Sequence, residues 1–255
     1  EEKLAHNIPA DQVDEVSEFL SQDARVSAFS TRTVIDGTVN NAHGFSNLKI
    51  IGIDPELEQE VTTIAERIDT GTYLNQFKNH PVLVGRSLAE DLKLDVGKSL
   101  NLNFMTIDTN AVGIGFKVEG VFKSGNGIFD KSVVYVKQKD LADLLETEML
   151  THEVAIMCNE IDDAQPLADD LNAKFGGVQA RPWNELSPQL AYQDDMMTTS
   201  ILIVLAIIIF ALAFGILNTM LMAVLERKRE LGMLLCVGMN KRKVFSMVMF
   251  ETIFL

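Results

Sequence analysis

Thirty consecutive residues of this 255-residue chain, Met196 to Leu225, contain no Lys, Arg, Asp or Glu. Helices buried inside soluble proteins seldom run that far without a polar face, so a soluble core helix is set aside. Cysteine is almost as scarce. Cys158 and Cys236 are the only two, which excludes a disulfide framework, and neither has neighbours at metal-ligand spacing. Both read as small apolar residues. The four histidines, His6, His43, His80 and His152, are scattered, with no pair at helical or loop metal spacing. No repeat, linker or low-complexity tract interrupts the chain.

Catalytic constellations are missing as well. Gly97-Lys98-Ser99 ends like a phosphate-binding loop, but the motif needs a glycine where Leu92 stands and must open a helix, whereas VGKSLNL enters a strand. Gly113, Gly115 and Gly120 lack the spacing of a dinucleotide fingerprint and read as turn or bulge glycines. The pairs Asp162-Asp163, Asp169-Asp170 and Asp194-Asp195 could in principle do acid–base work, yet adjacent carboxylates at helix starts are ordinarily solvated. Ser87 in Gly85-Arg86-Ser87 lacks the second glycine of a nucleophile elbow. The sequence therefore predicts no enzyme, no metal and no cofactor on this chain.

What is present is an uneven division of charge. Glu1 to Asp195 holds 16 basic and 33 acidic residues, whereas Glu226 to Leu255 holds 6 basic and 3 acidic. The uncharged run between them is MMTTSILIVLAIIIFALAFGILNTMLMAVL. A helix needs roughly 20 apolar residues to cross the hydrocarbon core, and Ile201 to Val224 suffices. Lys and Arg gather on the cytoplasmic flank of a span. Here that flank is Arg227, Lys228, Arg229 and then Lys241, Arg242, Lys243, and the opposite flank is Gln193, Asp194, Asp195. Residues 1–195 are thus expected outside the cytoplasm, residues 196–225 in the membrane and residues 226–243 inside. The basic cluster then needs no nucleic-acid partner. The membrane separates the two cysteines. An exported segment requires a signal or a preceding span, so EEKLAHNIPA reads as following a span that is not in this sequence. VFSMVMFETIFL, residues 244–255, reads as the start of another.

The outer region reads as α+β with two subdomains. PADQVDEVSEFLSQ has helical spacing at Val13, Val16, Phe19 and Leu20, with Asp11 near its start. VSAFSTRTVIDGTVN predicts a hairpin turning at Asp36-Gly37. LKIIGI predicts a strand ended by Asp54-Pro55 and a helix carrying Val61, Ile64, Ala65 and Ile68. PVLVGRSLAEDLKL predicts strand then helix, and SLNLNF, GFKVEGVF and KSVVYV predict a small sheet, with Gly125-Asn126-Gly127 in a turn. Then follow a helix in KDLADLLETEML, a strand in THEVAIMCN, a helix in DDAQPLADDLNAKFGG stopped by Gly176 or Gly177, and a last strand in VQARPW. The strand-rich subdomain is expected at about residues 73–136, with the flanking helix–strand units paired to each other.

Inside the apolar run Ala211, Gly215 and Thr219 recur at i, i+4 and i+8, and Asn218 adds an amide. Small stripes admit a neighbouring helix and polar groups bond across it. Behind the run, Leu231, Leu234 and Leu235 make an apolar edge that charges alone do not explain.

ILNTMLMAVLERKRELGMLLCVGMNKRKVFSMVMFETIFL, residues 216–255, closely resembles permeases of the FtsX, MacB and LolC/LolE type, the mechanotransmitting ABC transporters, from their second span to the start of the third. PVLVGRSLAEDLKLDVGKSLNL, and VVYV after FKSGNGIFDKS, resemble their MacB-like periplasmic core domain. The resemblance implies a fragment of a four-span protein of the bacterial inner membrane. It also implies a dimer with a second permease copy or paralogue, seated on cytoplasmic ABC ATPase subunits that bind the ATP and magnesium. Glu226 to Met239 would be the coupling helix. Arg227, Lys228, Arg229 and Glu230 would orient it at the lipid surface and ATPase rim; Leu231, Leu234 and Leu235 would fill an ATPase groove; Gly232 and Gly238 would allow close approach and the turn into the next span. A periplasmic carrier or adaptor would receive the substrate: a lipoprotein, peptide or drug. The other candidates are a single-span sensory receptor, whose inner segment should continue as a long soluble helix, and an anchored extracytoplasmic enzyme.

Overall fold

A computed structural model describes residues 7–74, 80–105, 111–145 and 150–253. The chain divides into two compact units, Glu1–Pro182 and Trp183–Leu255.

The first unit opens with helix α1 (Ala10–Gln22). β1 (Val26–Asn41) and β2 (Gly44–Ile53) form the first hairpin, followed by α2 (Pro55–Val61) and β3 (Ile68–Gly71). β4 (Pro81–Gly85), α3 (Arg86–Leu92), β5 (Ser99–Met105) and β6 (Ala111–Phe122) come next. After them run α4 (Gly127–Ser132), β7 (Val133–Lys137), α5 (Gln138–Leu145), β8 (Glu153–Cys158) and α6 (Ala164–Lys174). The unit is α+β, as the sequence predicts.

Six strands close on themselves in the order β1-β2-β7-β4-β6-β5, with β5 returning to β1. Inward-facing residues alternate along each strand, so Ile35, Val39, Leu48, Ile50, Val82, Val84, Leu100, Leu102, Phe116 and Val134 fill the interior. A small barrel has room only for its own side chains. Leu88 and Leu92 of α3 and Leu141 and Leu145 of α5 join the same cluster. A second layer, with Ile53, Ile64, Leu74, Leu83, Phe122 and Tyr135, packs on the outer face.

β1 is longer than the barrel requires. Its downstream part pairs with β2 and β5, while Val26–Arg32 pairs with β8. Beside that upstream part lies a separate core of Val16 and Leu20 from α1 and Leu167, Leu171 and Phe175 from α6 and its end. The flanking blocks do pair with each other, but the strand-rich part is wider than residues 73–136, because β1 and β2 belong to the barrel.

Four local expectations are corrected. The hairpin does not turn at Asp36-Gly37: β1 runs through both, and Gly37 pairs with Leu48 and Phe104. A Cβ there would lie 2.8 Å from Ile50 Cδ1, so the glycine makes room for packing. The turn comes at Asn41, whose Oδ1 accepts from the His43 and Gly44 amides at 2.8 and 3.1 Å. The helix after Pro55 stops at Val61, because the Thr62 amide and hydroxyl both bond back to the Glu58 carbonyl and Thr62 is extended. α6 ends not at a glycine but at Phe175, which turns into the core against Phe19. VQARPW forms no strand; the Asn172 side chain brackets Ala180, donating to its carbonyl and accepting from its amide at 2.8 Å each. The last residues expected in the helix of KDLADLLETEML, 146–149, lie outside the described residues.

Asn126 is more than a turn residue: its Oδ1 accepts from the Ile128 and Phe129 amides and caps α4. α4 lies so close to β4 that a Cβ on Gly85 would overlap the Asp130 backbone. Overpacking of this kind costs about 1–3 kcal/mol. Gly85→Ala is expected to lower the outer unit's unfolding free energy by about that much in denaturant titration. Gly115→Ala, whose new methyl would stand 3.6 Å from a movable Asn101 side chain, should change it by less than about 0.5 kcal/mol.

Candidate functional site: the apolar helix and the elbow behind it

The second unit begins with α7 (Trp183–Leu186) and α8 (Pro188–Glu226). Pro188 starts α8, where its missing amide hydrogen has no intrahelical partner to lose. No proline follows within it. At about 1.5 Å per residue its 39 residues span about 58 Å, nearly twice the roughly 30 Å hydrocarbon core. Among the described residues it is the one helix long and apolar enough to cross a membrane.

The small-residue stripe lies open on this helix. Ala211, Gly215, Asn218 and Thr219 are all exposed, and a Cβ on Gly215 would meet nothing within 4 Å. Thr219 Oγ1 donates to the Gly215 carbonyl at 2.9 Å. Its hydroxyl is therefore satisfied inside the helix, which leaves Asn218 as the stripe's polar group for a neighbour.

One residue separates α8 from the next helix. Arg227 leaves the helical region, with φ −93° and ψ 14°, and α9 (Lys228–Cys236) starts beyond it. The Leu231 amide bonds to the Arg227 carbonyl at 3.0 Å, so α9 is anchored on that same residue. Its end is set by Gly238, at φ +98°. The Gly238 amide donates to the Leu235 carbonyl and the Met239 amide to the Leu234 carbonyl, both at 3.1 Å. This pair of bonds is the Schellman closure, which needs a left-handed residue at Gly238. Asn240 then starts α10 (Lys241–Ile253), its Oδ1 accepting from the Arg242 amide. Sequence reading missed that cap, although an Asn before a basic run signals one.

α9 and α10 touch. The more covered side chains are Leu231 and Leu234 on α9 and Val244 and Val248 on α10; Gly232 is half-buried too. Leu235 is 41% exposed, Met233 66% and Val237 88%. The apolar edge read from the sequence is thus unevenly covered. Leu231 and Leu234 are its more covered part and Leu235, on the same helix face, its more exposed part; Met233, on the opposite face, and Val237, just past the helix, are also exposed, and sequence reading did not single them out.

Arg227, Lys228, Arg229 and Glu230 are exposed, as are Lys241, Arg242 and Lys243. Cations at the start of α9 and α10 oppose the helix dipole, at about 0.3–1 kcal/mol each. That placement is unfavourable for isolated helices and favourable beside an anionic surface, where each basic residue gains about 1 kcal/mol. Among the described residues no group of three or more His, Cys, Asp or Glu is placed to hold a metal ion.

Comparison with known proteins follows the same division. The MacB-like periplasmic core domain family matches residues 3–174, and the FtsX-like permease C-terminal family matches residues 202–255. The lipoprotein-releasing system transmembrane protein LolC of Xylella fastidiosa is 25% identical over 208 residues, covering 78% of this chain and 50% of that protein. The macrolide export ATP-binding/permease protein MacB of Syntrophobacter fumaroxidans is 33% identical over 75 residues, 29% of this chain and 10% of that protein. The extracellular domain of the ABC-type transporter YknZ from Gram-positive bacteria superposes with a TM-score of 0.47 at 18% identity, covering 69% of this chain and 88% of that domain. The chain spans about half the length of the LolC relatives it matches.

The closure at Gly238 is directly testable. Gly238→Val, a branched residue at positive φ, is expected to cost about 1–2 kcal/mol and to lose hydrogen-exchange protection at the Met239 amide. Gly238→Asn, which tolerates that conformation, should keep most of it.

Proposed function

The chain belongs to the FtsX-like permeases of ABC transporters that carry a MacB-like periplasmic core domain, and we propose that it couples ATP hydrolysis on a separate cytoplasmic subunit to movement of its outer unit. The observation that carries this reading is the elbow. A long apolar helix ends at one non-helical residue and is followed by a short, cation-flanked helix with exposed apolar residues. Such an arrangement can be pushed from below and can pass the displacement along a rigid rod.

In this reading α9 is the coupling helix. Arg227, Lys228 and Arg229 hold it at the anionic inner leaflet, and Glu230 orients it at the ATPase rim. Leu235, 41% exposed, enters an apolar groove on the ATPase. Leu231 and Leu234 support the elbow from the side facing α10, and Gly238 closes it. The small stripe of α8 seats a neighbouring span, from this protein or from a second permease copy or paralogue. ATP and magnesium are bound by the partner, and this chain performs no chemistry of its own. The substrate is an amphiphile such as a lipoprotein, peptide or drug, passed on to a periplasmic carrier or adaptor. The full protein is multi-pass, in the bacterial inner membrane, with its outer unit in the periplasm. A receptor reading fares worse because α9 ends after nine residues and a new helix begins.

Co-purification of the full-length protein in detergent with the ATPase encoded beside it tests this assignment. Leu235→Asp is expected to reduce the ATPase recovered by about tenfold or more, equivalent to at least about 1.4 kcal/mol of docking energy. Lys241→Gln should change recovery by less than about threefold, because a rim charge contributes little. Recovery unchanged by Leu235→Asp would remove this edge of α9 from the interface.

A further inference from the structure

Two of the outer unit's three apolar clusters, the barrel interior and the cluster between α1, α6 and the upstream part of β1, share no residue. The ground between them is polar. Of the seven buried polar residues described, Ser30, Thr33, Glu58, Gln138 and Thr151 all lie where the chain passes from one core to the other. The Thr33 hydroxyl and the Gln138 amide both donate to the Leu150 carbonyl. The Ile8 amide donates to the Thr151 carbonyl at 2.7 Å, and the His152 amide to the Arg32 carbonyl at 2.9 Å.

Arg32 stands at the crossing itself. Its backbone faces Ile53 of β2 on one edge and Glu153 of β8 on the other, so it is the residue at which β1 leaves the barrel. Its guanidinium grips Glu58 of α2 with two bonds, Nε to Oε2 at 3.1 Å and Nη2 to Oε1 at 2.5 Å. Glu58 is fully buried. The Thr62 hydroxyl also reaches Glu58 Oε1, at 3.3 Å. Among the described residues the Tyr73 hydroxyl is buried without a hydrogen-bond partner, and burial, reinforced by the Glu58 charge, raises its pKa so that it stays neutral.

Taking a carboxylate and a guanidinium out of water costs more than a well-packed apolar pair would, so such a pair is poorly explained as a source of stability. What two parallel bonds supply is direction. We propose that Arg32–Glu58 is a charged latch on a hinge at Thr31–Thr33, holding the α1/α6 half of the outer unit at one angle to the barrel. The hydrogen bonds at the crossing, to Leu150, Thr151, Gln138 and His152 among others, are polar contacts that water can replace when it opens. The proposal does not depend on the transport reading; it concerns the outer unit alone.

The test uses the full-length protein with Cys158 and Cys236 replaced by Ser, and spin labels at Glu18→Cys on α1 and Ser99→Cys on β5, diluted with unlabelled protein. The unaltered pair is expected to give one narrow distance distribution. Arg32→Met combined with Glu58→Leu should broaden it about twofold or more while the unfolding temperature stays the same or rises. A distribution that stays narrow overturns the latch. So does a double variant that fails to fold, since the pair would then be structural support. Hydrogen exchange of the unaltered protein gives a check without substitutions. The amides of Ile8 and His152 should exchange faster than those of Val84 and Val134 in the barrel. Equal protection would also overturn the hinge.

Discussion

Hydrocarbon offers no hydrogen-bond partner to a backbone amide, so a chain that enters it must satisfy every such group within itself. The thirty uncharged residues from Met196 to Leu225 meet that demand within the single helix α8, and the consequences run in both directions along the chain. In the proposed reading the acidic residues before this stretch and the basic residues after it fall on opposite sides of the membrane. The helix is longer than a hydrocarbon core is thick. At the other end one residue, Arg227, leaves the helix and redirects the chain. A helix that ends at a single residue and is followed by a capped short helix transmits a displacement better than a flexible loop would.

The outer unit solves a different problem. A closed barrel leaves no unpaired edge among its six strands, yet β1 extends past the closure and takes β8 as a further partner. One strand thus serves two cores. The polar crossing at Thr31–Thr33 is the price of that economy, and a polar crossing between two apolar bodies is where a domain bends with least loss of packing.

Much of this could be read from the sequence, for identifiable reasons. α1 was legible because Val16 and Leu20 recur at helical spacing and both are buried. The long apolar helix was legible because thirty residues without a charge leave it no polar face. The FtsX-like and MacB-like resemblance was legible in residues 216–255 and in the run from Pro81 to Leu102. The hairpin turn was misplaced because Asp36-Gly37 looks like a turn in isolation, whereas the glycine answers to Ile50 across the barrel. The strand expected in VQARPW failed because the Asn172 side chain takes the place of a strand neighbour. The uneven cover of the α9 edge, with Leu234 half-buried and Leu235 41% exposed, depends on what packs against α9, and periodicity within one helix cannot reveal it. The Arg32–Glu58 pair joins residues 26 positions apart and carries no local signature.

The central claim is that displacement at the inner elbow reaches the outer unit through a continuous α8. Hydrogen exchange of residues 1–182, in the full-length protein assembled with its ATPase, compares nucleotide-free and ATP-trapped states. The same comparison follows in Gln193→Pro, which breaks α8 outside the bilayer. The account predicts a nucleotide-dependent change in the outer unit that the proline variant abolishes while the ATPase remains bound. A change that persists in the proline variant, or an outer unit indifferent to ATP in the unaltered protein, would contradict it.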